Sequence, residues 1–280
     1  MRLIGYQVDG TRHIGAISED KVTPLGTAAE FYRDPAAALY REPAGPTLAL
    51  ADLEQAPAVP ETSRIFCVGI NYLSHVDESK SVAGLDLPKF PMIFGRWAST
   101  LVVDGAPVPV PPTEKGLDWE VELAVVIGDT VWEADEASAL QHVFAYTAFN
   151  DLSARRKQIE TPQFTLGKNA DRSGPIGPVL VTTDELPDPR GLRVQTRVNG
   201  ETVQDANTYD LIHSVEKIIA YITDTVTLQP GDVIATGTPG GVGIGMNPQR
   251  FLTPGDVVEV EVERIGVLRN PIVARDQLDI

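Results

Sequence analysis

Short alternating and wholly apolar runs, punctuated by glycine and proline, dominate the chain. Leu3-Ile4 and Tyr6 to Val8 lead into Asp9-Gly10 and then Ile14 to Ile17, which predicts a small meander over about the first 25 residues. An apolar run from Ile65 to Val68 stops at Gly69 and is followed by Asn71, the pattern of a buried strand feeding a loop. Trp119 to Ile127 alternates Glu and Val in its first half and is wholly apolar in its second, so one end of that strand is polar on one face. A further apolar segment runs from Val143 up to Asp151. Leu192 to Val198 ends at Asn199-Gly200, the strongest two-residue hairpin signal, with Glu201 to Gln204 as its partner. Ile212 to Ile222 places apolar residues at 212, 215, 218, 219 and 222 and predicts an amphipathic helix. Val233 to Thr236, the glycine-rich loop Gly237 to Gly245 and alternating Val257 to Val262 close the pattern.

Between the meander and the main run lies a softer stretch with a short helix over Ala36 to Tyr40 and with Pro43, Pro46, Pro57 and Pro60. It predicts a seam between a small N-terminal β-rich domain, residues 1–60, and a main domain, residues 61–280. The expected fold class is α+β and β-rich.

Composition narrows the function. Lys plus Arg number 23 against 39 Asp plus Glu, a net charge of −16 in 280 residues, and the longest basic run is Arg155-Arg156-Lys157. Such a field opposes nucleic acid and anionic membranes alike. The single cysteine, Cys67, can form neither an intramolecular disulfide nor a cysteine-based zinc site. There is no signal-peptide-like start and no apolar run near the roughly 20 residues of a membrane helix, so a cytoplasmic location is expected.

Residues i and i+2 of a strand share a face, so Glu120 and Glu122 lie side by side, with Asp118 one step earlier. Carboxylates that close repel unless a cation sits between them, and a divalent ion with a taste for oxygen is the economical answer. The same pattern recurs at Glu259, Glu261 and Glu263, where it reads as a solvated strand face, and spacing alone does not separate the two. Asp151 could supply a third ligand or could cap a helix over residues 152 to 158. His75 and Glu78 stand three apart just past a strand end, where Glu78 could orient the imidazole as a general base, although surface His and Glu pairs are common. Lys168, placed by Gly167, could stabilise an enolate oxygen. The loop Thr236-Gly237-Thr238-Pro239-Gly240-Gly241-Val242-Gly243 offers N–H groups and a hydroxyl to a carboxylate. It lacks the strand and helix context of a dinucleotide fingerprint, and no Walker or G-x-S-x-G motif is present. Cys67, inside a predicted buried strand, reads as core.

As a set these segments resemble the fumarylacetoacetate hydrolase family. The matching pieces are Gly69-Ile70-Asn71-Tyr72 through His75 and Glu78, Leu117 to Gly128 around Glu120 and Glu122, and Asn150-Asp151-Leu152-Ser153-Ala154-Arg155. Gly167-Lys168 with Pro175-Ile176-Gly177-Pro178, Val198-Asn199-Gly200-Glu201, Thr236 to Gly243 and Pro254-Gly255-Asp256 follow in the family's order, across about residues 64 to 273. The first 60 residues resemble the variable small domain of many members.

The resemblance implies a mixed β-roll and a divalent metal, Mg²⁺ or Mn²⁺ with Ca²⁺ as a further fit, held by Glu120, Glu122 and Asp151. It implies a water-activating His75 and Glu78 dyad on a segment that orders when substrate binds; residues 79 to 91, with Gly, Pro and little periodicity, are expected to be its mobile link to the body. Arg155, Gln158, Lys168 and Thr238 would meet a small 2-oxo acid, and the molecule would be a homodimer. The chain departs from the family pattern at Arg96, where Lys is usual, at Arg156, where an acid is usual, and at Arg172, where Thr is common. Arg96 and Arg172 are therefore expected to shape substrate choice, Arg172 by meeting a second carboxylate or polar tail. The expected reaction is hydrolysis of a carbon–carbon bond in an acylpyruvate or related 2,4-dioxo acid, with an enolate stabilised by metal and Lys168. Decarboxylation of an oxaloacetate-type acid and isomerisation of a 2-oxo-enoate reach the same enolate, and a non-catalytic Ca²⁺-binding module is the alternative of another class.

Overall fold

The computed structural model describes residues 1–74 and 89–278. His75, Glu78 and residues 79–88 of the expected mobile link lie outside the described residues. The chain opens with β1 (Arg2–Val8), β2 (Thr11–Ser18), β3 (Lys21–Thr27), β4 (Leu48–Ala49) and β5 (Glu54–Ala56). The predicted turns form where their composition puts them. Asp9 and Gly10 take φ of 49° and 77°, and Asn199 and Gly200 take 52° and 83°. Those are the left-handed pairs that let a two-residue turn follow strand twist.

The main run supplies β6 (Ile65–Gly69), β7 (Met92–Arg96), β8 (Leu101–Val102), β9 (Val108–Val110), β10 (Val121–Ile127), β11 (Val143–Asn150) and β12 (Gly174–Thr182). It ends with β13 (Arg193–Val198), β14 (Glu201–Asn207), β15 (Val233–Ala235), β16 (Val257–Val262) and β17 (Gly266–Ala274). A 12-stranded sheet runs β4-β3-β2-β1-β12-β11-β10-β15-β6-β7, with β5 on β1 and β8 on β12, and a 5-stranded sheet runs β14-β13-β16-β17-β9. The first 60 residues join the large sheet through antiparallel pairing of β1 with β12. Leu3, Ile14 and Phe31 share a core with Ile65, Ala124 and Phe144. The proline-rich seam thus changes local texture within one continuous sheet.

Strand β10 is buried on both faces. Val121, Leu123, Val125 and Ile127 pack into one core with Val194, Val260 and Leu268 of the smaller sheet. Ala124 and Val126 turn to the other, with Cys67 and Phe149. Burying such a Val, Leu or Ile contributes about 1.5–3 kcal/mol, so the strand that carries the acidic pair is anchored from both sides. The predicted amphipathic helix spans Val215–Thr223 and sends Val215, Ile218, Ile219 and Ile222 into the first core. It starts later than Ile212 because Ser214 caps it, accepting from the Lys217 N–H, while the N–H groups of Ile212 and His213 bond Asn71.

Pairing direction concentrates the loops. β10 is antiparallel to β11 and to β15, and β15 is parallel to β6. The N-terminal end of β10 therefore meets the C-terminal ends of β11, β15 and β6. Glu120, Asp151, the Thr236-Gly237 corner and Asn71 all lie at that end. No helix among the described residues is long and apolar enough to cross a membrane.

Candidate metal centre

Backbone pairing sets the acidic side chains together. The Glu120 N–H donates to Asn150 Oδ1 at 3.0 Å, and the Asp151 N–H donates to the Glu120 carbonyl at 3.0 Å. Side-chain oxygens of Glu120, Glu122 and Asp151 all lie within 4.8 Å of one another, and the three residues are buried. The two readings of Asp151 separate here. The nearby helix spans Arg155–Ile159, with Ala154 at its N-cap position and no capping side chain. The Asp151 carboxylate instead accepts from Lys168 Nζ at 2.7 Å and from Arg96 Nε at 2.9 Å.

Three cations from separate elements enclose the cluster. Lys168 Nζ also donates to Glu120 at 2.7 Å and lies 5.2 Å from the Phe94 ring centroid. Arg155 donates through Nε to Asp118 at 2.7 Å and through Nη1 to Gln158 Oε1 at 2.8 Å, and its Nη2 lies 2.6 Å from Glu120. Asp118 also accepts the N–H groups of Gly243, at 2.7 Å, and Ile244, at 3.0 Å, and so ties the glycine-rich loop to the cluster. Lys168 closes the short helix Thr165–Lys168, which packs against Arg155–Ile159 through Gly167. A Cβ at Gly167 would sit 2.3 Å from Gln158 Cα, so a residue without a side chain is required for that approach.

Arg96 needs a correction. Its side chain is fully enclosed, and its guanidinium is bound to Asp151, to Ser173 Oγ at 2.7 Å and to the Leu152 carbonyl at 3.0 Å. It supports a candidate metal ligand and has no free edge for substrate. Arg172 is not brought into the cluster: its Nε donates to the Pro107 carbonyl at 2.9 Å. Glu120, Glu122, Asp151, Arg155, Gln158 and Lys168 do meet, and Thr238 stands next to Gly237, whose N–H donates to Glu122 at 2.8 Å. The acidic look-alikes also resolve. Arg197 bridges Glu259 at 3.0 Å and Glu261 at 2.7 Å on a half-exposed strand face. Cys67 is buried, and burial pushes its thiol well above the usual range, as a core residue should behave.

Sequence reasoning missed Gln204, Asn71 and the supporting role of Asp118. Gln204 Oε1 accepts from the Val121 N–H at 3.1 Å, and Asn71 Nδ2 donates to the carbonyls of Thr236 at 2.7 Å and His213 at 2.9 Å. No local signal marked Gln204: its strand, Glu201–Asn207, is polar at most positions, and only the fold buries this one side chain.

Four carboxylates, Asp118, Glu120, Glu122 and Asp151, thus face the cations Arg96, Arg155 and Lys168. The unmatched charge falls on Glu122, whose hydrogen bond among the described residues comes from Gly237. Burial, reinforced by Asp151 and Glu120, holds the Glu122 carboxyl well above its ordinary range, against the pull of Lys168 and the Gly237 N–H. Burial alone would lower Lys168, but Asp151 and Glu120 more than offset it and raise the ammonium above its usual value. A cluster of hard oxygen donors that is short of positive charge fits a divalent cation of the Mg²⁺ or Mn²⁺ type.

Comparison with known proteins agrees with this geometry. The model of the fumarylacetoacetate (FAA) hydrolase C-terminal family matches residues 64–273. The human mitochondrial oxaloacetate tautomerase FAHD2A is 41% identical over 230 residues, 81% of this chain and 72% of that protein. A fumarylacetoacetate hydrolase from Exiguobacterium antarcticum superposes with a TM-score of 0.81 at 34% identity, covering 98% of this chain and 100% of that one. The 2-hydroxyhepta-2,4-diene-1,7-dioate isomerase from Mycobacterium marinum gives 0.80 at 30% identity, covering 98% and 99%. On the fold, the order of its motifs and these likenesses together, the chain belongs to the fumarylacetoacetate hydrolase family.

Proposed function

We propose that this protein is a divalent-metal-dependent enzyme that moves a proton on a small 2-oxo acid through an enolate, and that the enol–keto tautomerisation of an oxaloacetate-type substrate is its reaction. The observation that carries the reading is the buried Glu120, Glu122 and Asp151 cluster, short of one positive charge among the described residues and braced by Lys168. The similarity to a protein named oxaloacetate tautomerase supports this reaction over the others that share the enolate.

Glu120, Glu122 and Asp151 would hold Mg²⁺ or Mn²⁺, and the bound ion supplies a Lewis acid for the 2-oxo group. The residues of the chain do the rest. Lys168 keeps a fixed positive charge in a buried site, where it lowers the energy of a developing enolate oxygen without reorganising. Arg155, steadied by Asp118 and Gln158, offers a second positive charge beside Glu120. Thr238 receives the substrate carboxylate. By the family resemblance, His75 and Glu78 would supply the proton carrier at carbon.

Carbon–carbon hydrolysis of an acylpyruvate is the second reading. The His75 and Glu78 pair favours it, because water must be activated there. One experiment separates the two. Metal-stripped protein receives Mg²⁺ or Mn²⁺ while loss of enol oxaloacetate is followed by ultraviolet absorbance, beside pyruvate release from oxaloacetate and from an acylpyruvate. Enol loss that depends on metal and outruns both pyruvate signals is expected. Faster pyruvate release from the acylpyruvate would replace tautomerase by hydrolase, and faster release from oxaloacetate would replace it by decarboxylase. Glu122→Gln, folded by circular dichroism, should be silent throughout. A homodimer acting in the cytoplasm is carried as part of this proposal.

A further inference from the structure

Gln204 sits between the strand of the acidic pair and the glycine-rich loop, and is buried. Its amide orientation is fixed by two backbone groups of known polarity. The Val121 N–H, 3.1 Å away, can only donate, so Oε1 faces it; the Pro239 carbonyl, 2.9 Å away, can only accept, so Nε2 faces that. Thr196 Oγ1 donates to Oε1 at 2.7 Å, and the remaining Nε2 hydrogen goes to Thr238 Oγ1 at 3.0 Å. Every donor and acceptor position of the amide is filled. An amide nitrogen does not accept, so Thr238 must be the acceptor in that bond, and its own proton finds no acceptor among the described residues.

The loop reaches Gln204 because of Gly241, at φ 94°, where a Cβ would lie 2.3 Å from the Val203 carbonyl oxygen. Val121 lies between the two glutamates in sequence, and Gly237, next to Thr238, donates to Glu122 at 2.8 Å. The same amide therefore spans from the metal-holding strand to the hydroxyl beside it.

We propose that Gln204 is a positioning residue that locks the Thr238 hydroxyl as a donor, so that this corner of the site selects an acceptor-only group, the carboxylate of a 2-oxo acid. The inference rests on the function proposed above and deepens it by assigning the polarity of the carboxylate contact. Gln204→Glu places an acceptor on the Thr238 side and draws the hydroxyl proton away from the ligand. Thr238→Val removes the donor and keeps the shape, and Thr238→Ser restores it.

The test is calorimetric binding of oxalate to the Mg²⁺-supplied protein, alongside oxaloacetate turnover. Gln204→Glu and Thr238→Val should each weaken oxalate about 10- to 100-fold, the worth of a hydrogen bond to a charged group. The double variant should be no weaker than either single one, and Thr238→Ser should bind as the unmodified protein does. In turnover, KM should rise more than kcat falls. Additive losses, full affinity in Thr238→Val, or a lower melting temperature with oxalate affinity intact would overturn the proposal. If Gln204→Glu does not fold, Gln204→Asn, which keeps the amide but shortens its reach, takes its place in the cycle. Unmodified protein that binds oxalate yet leaves oxaloacetate unchanged would reject only the tautomerase reading; protein that binds no oxalate would reject this one.

Discussion

A carboxylate removed from solvent, as Asp151 is, needs opposite charge within hydrogen-bonding reach, and Arg96 and Lys168 supply it from two different elements. Removing one partner of a buried pair leaves the other's charge exposed to low dielectric, and that loss outweighs any gain from added apolar volume. Arg96→Met should therefore destabilise the metal-free protein by about 3 kcal/mol, the low end for a broken buried pair because Lys168 remains, as read from urea unfolding. Arg96→Lys should recover little of it. One ammonium cannot also hold Ser173 Oγ and the Leu152 carbonyl, which the guanidinium fork reaches at 2.7 Å and 3.0 Å.

The elements show how closely two short helices must approach for Lys168 to reach the cluster. Gly167→Ala should cost about 1–3 kcal/mol in overpacking against Gln158, and, by displacing Lys168, should lower kcat more than it lowers the melting temperature. Paired urea melts and rate measurements would check the split. At this scale the sequence was readable where local rules act. Strands β6, β10 and β13, both Asx-Gly turns and the helix Val215–Thr223 follow from periodicity and turn chemistry, and Glu120 with Glu122 follows from strand geometry. Strand β12, interrupted by Pro175, Gly177 and Pro178, escaped because its composition is that of a loop, and long-range pairing with β1 and β11 overrides it. The roles of Arg96 and Gln204 escaped for a related reason. Each is defined by partners tens of residues away in sequence, and a side chain's type says nothing about which partner it meets.

Across the whole molecule the site is a meeting point of strand ends rather than the property of any segment. Asp118 is tied to Gly243, 125 residues on, and Glu122 to Gly237, 115 residues on. Its sheet order interleaves early and late strands, with β15 between β10 and β6. Such long loops must close before their contacts gain anything, so this topology belongs among slow folders. The convergence has a kinetic consequence. The three carboxylates lie at the adjoining ends of the paired strands β10 and β11, but the groups that brace them, Arg96, Lys168 and the Gly237 N–H, arrive from elsewhere in the chain, so a divalent ion held as proposed would meet its finished site only after the barrier. In stopped-flow urea jumps the ion should leave the refolding rate unchanged and slow unfolding by a factor that grows with its concentration. A refolding rate that rises with metal would mean that β10 and β11 bring the carboxylates together early, and an ion held as proposed would then help to nucleate the sheet rather than only lock it.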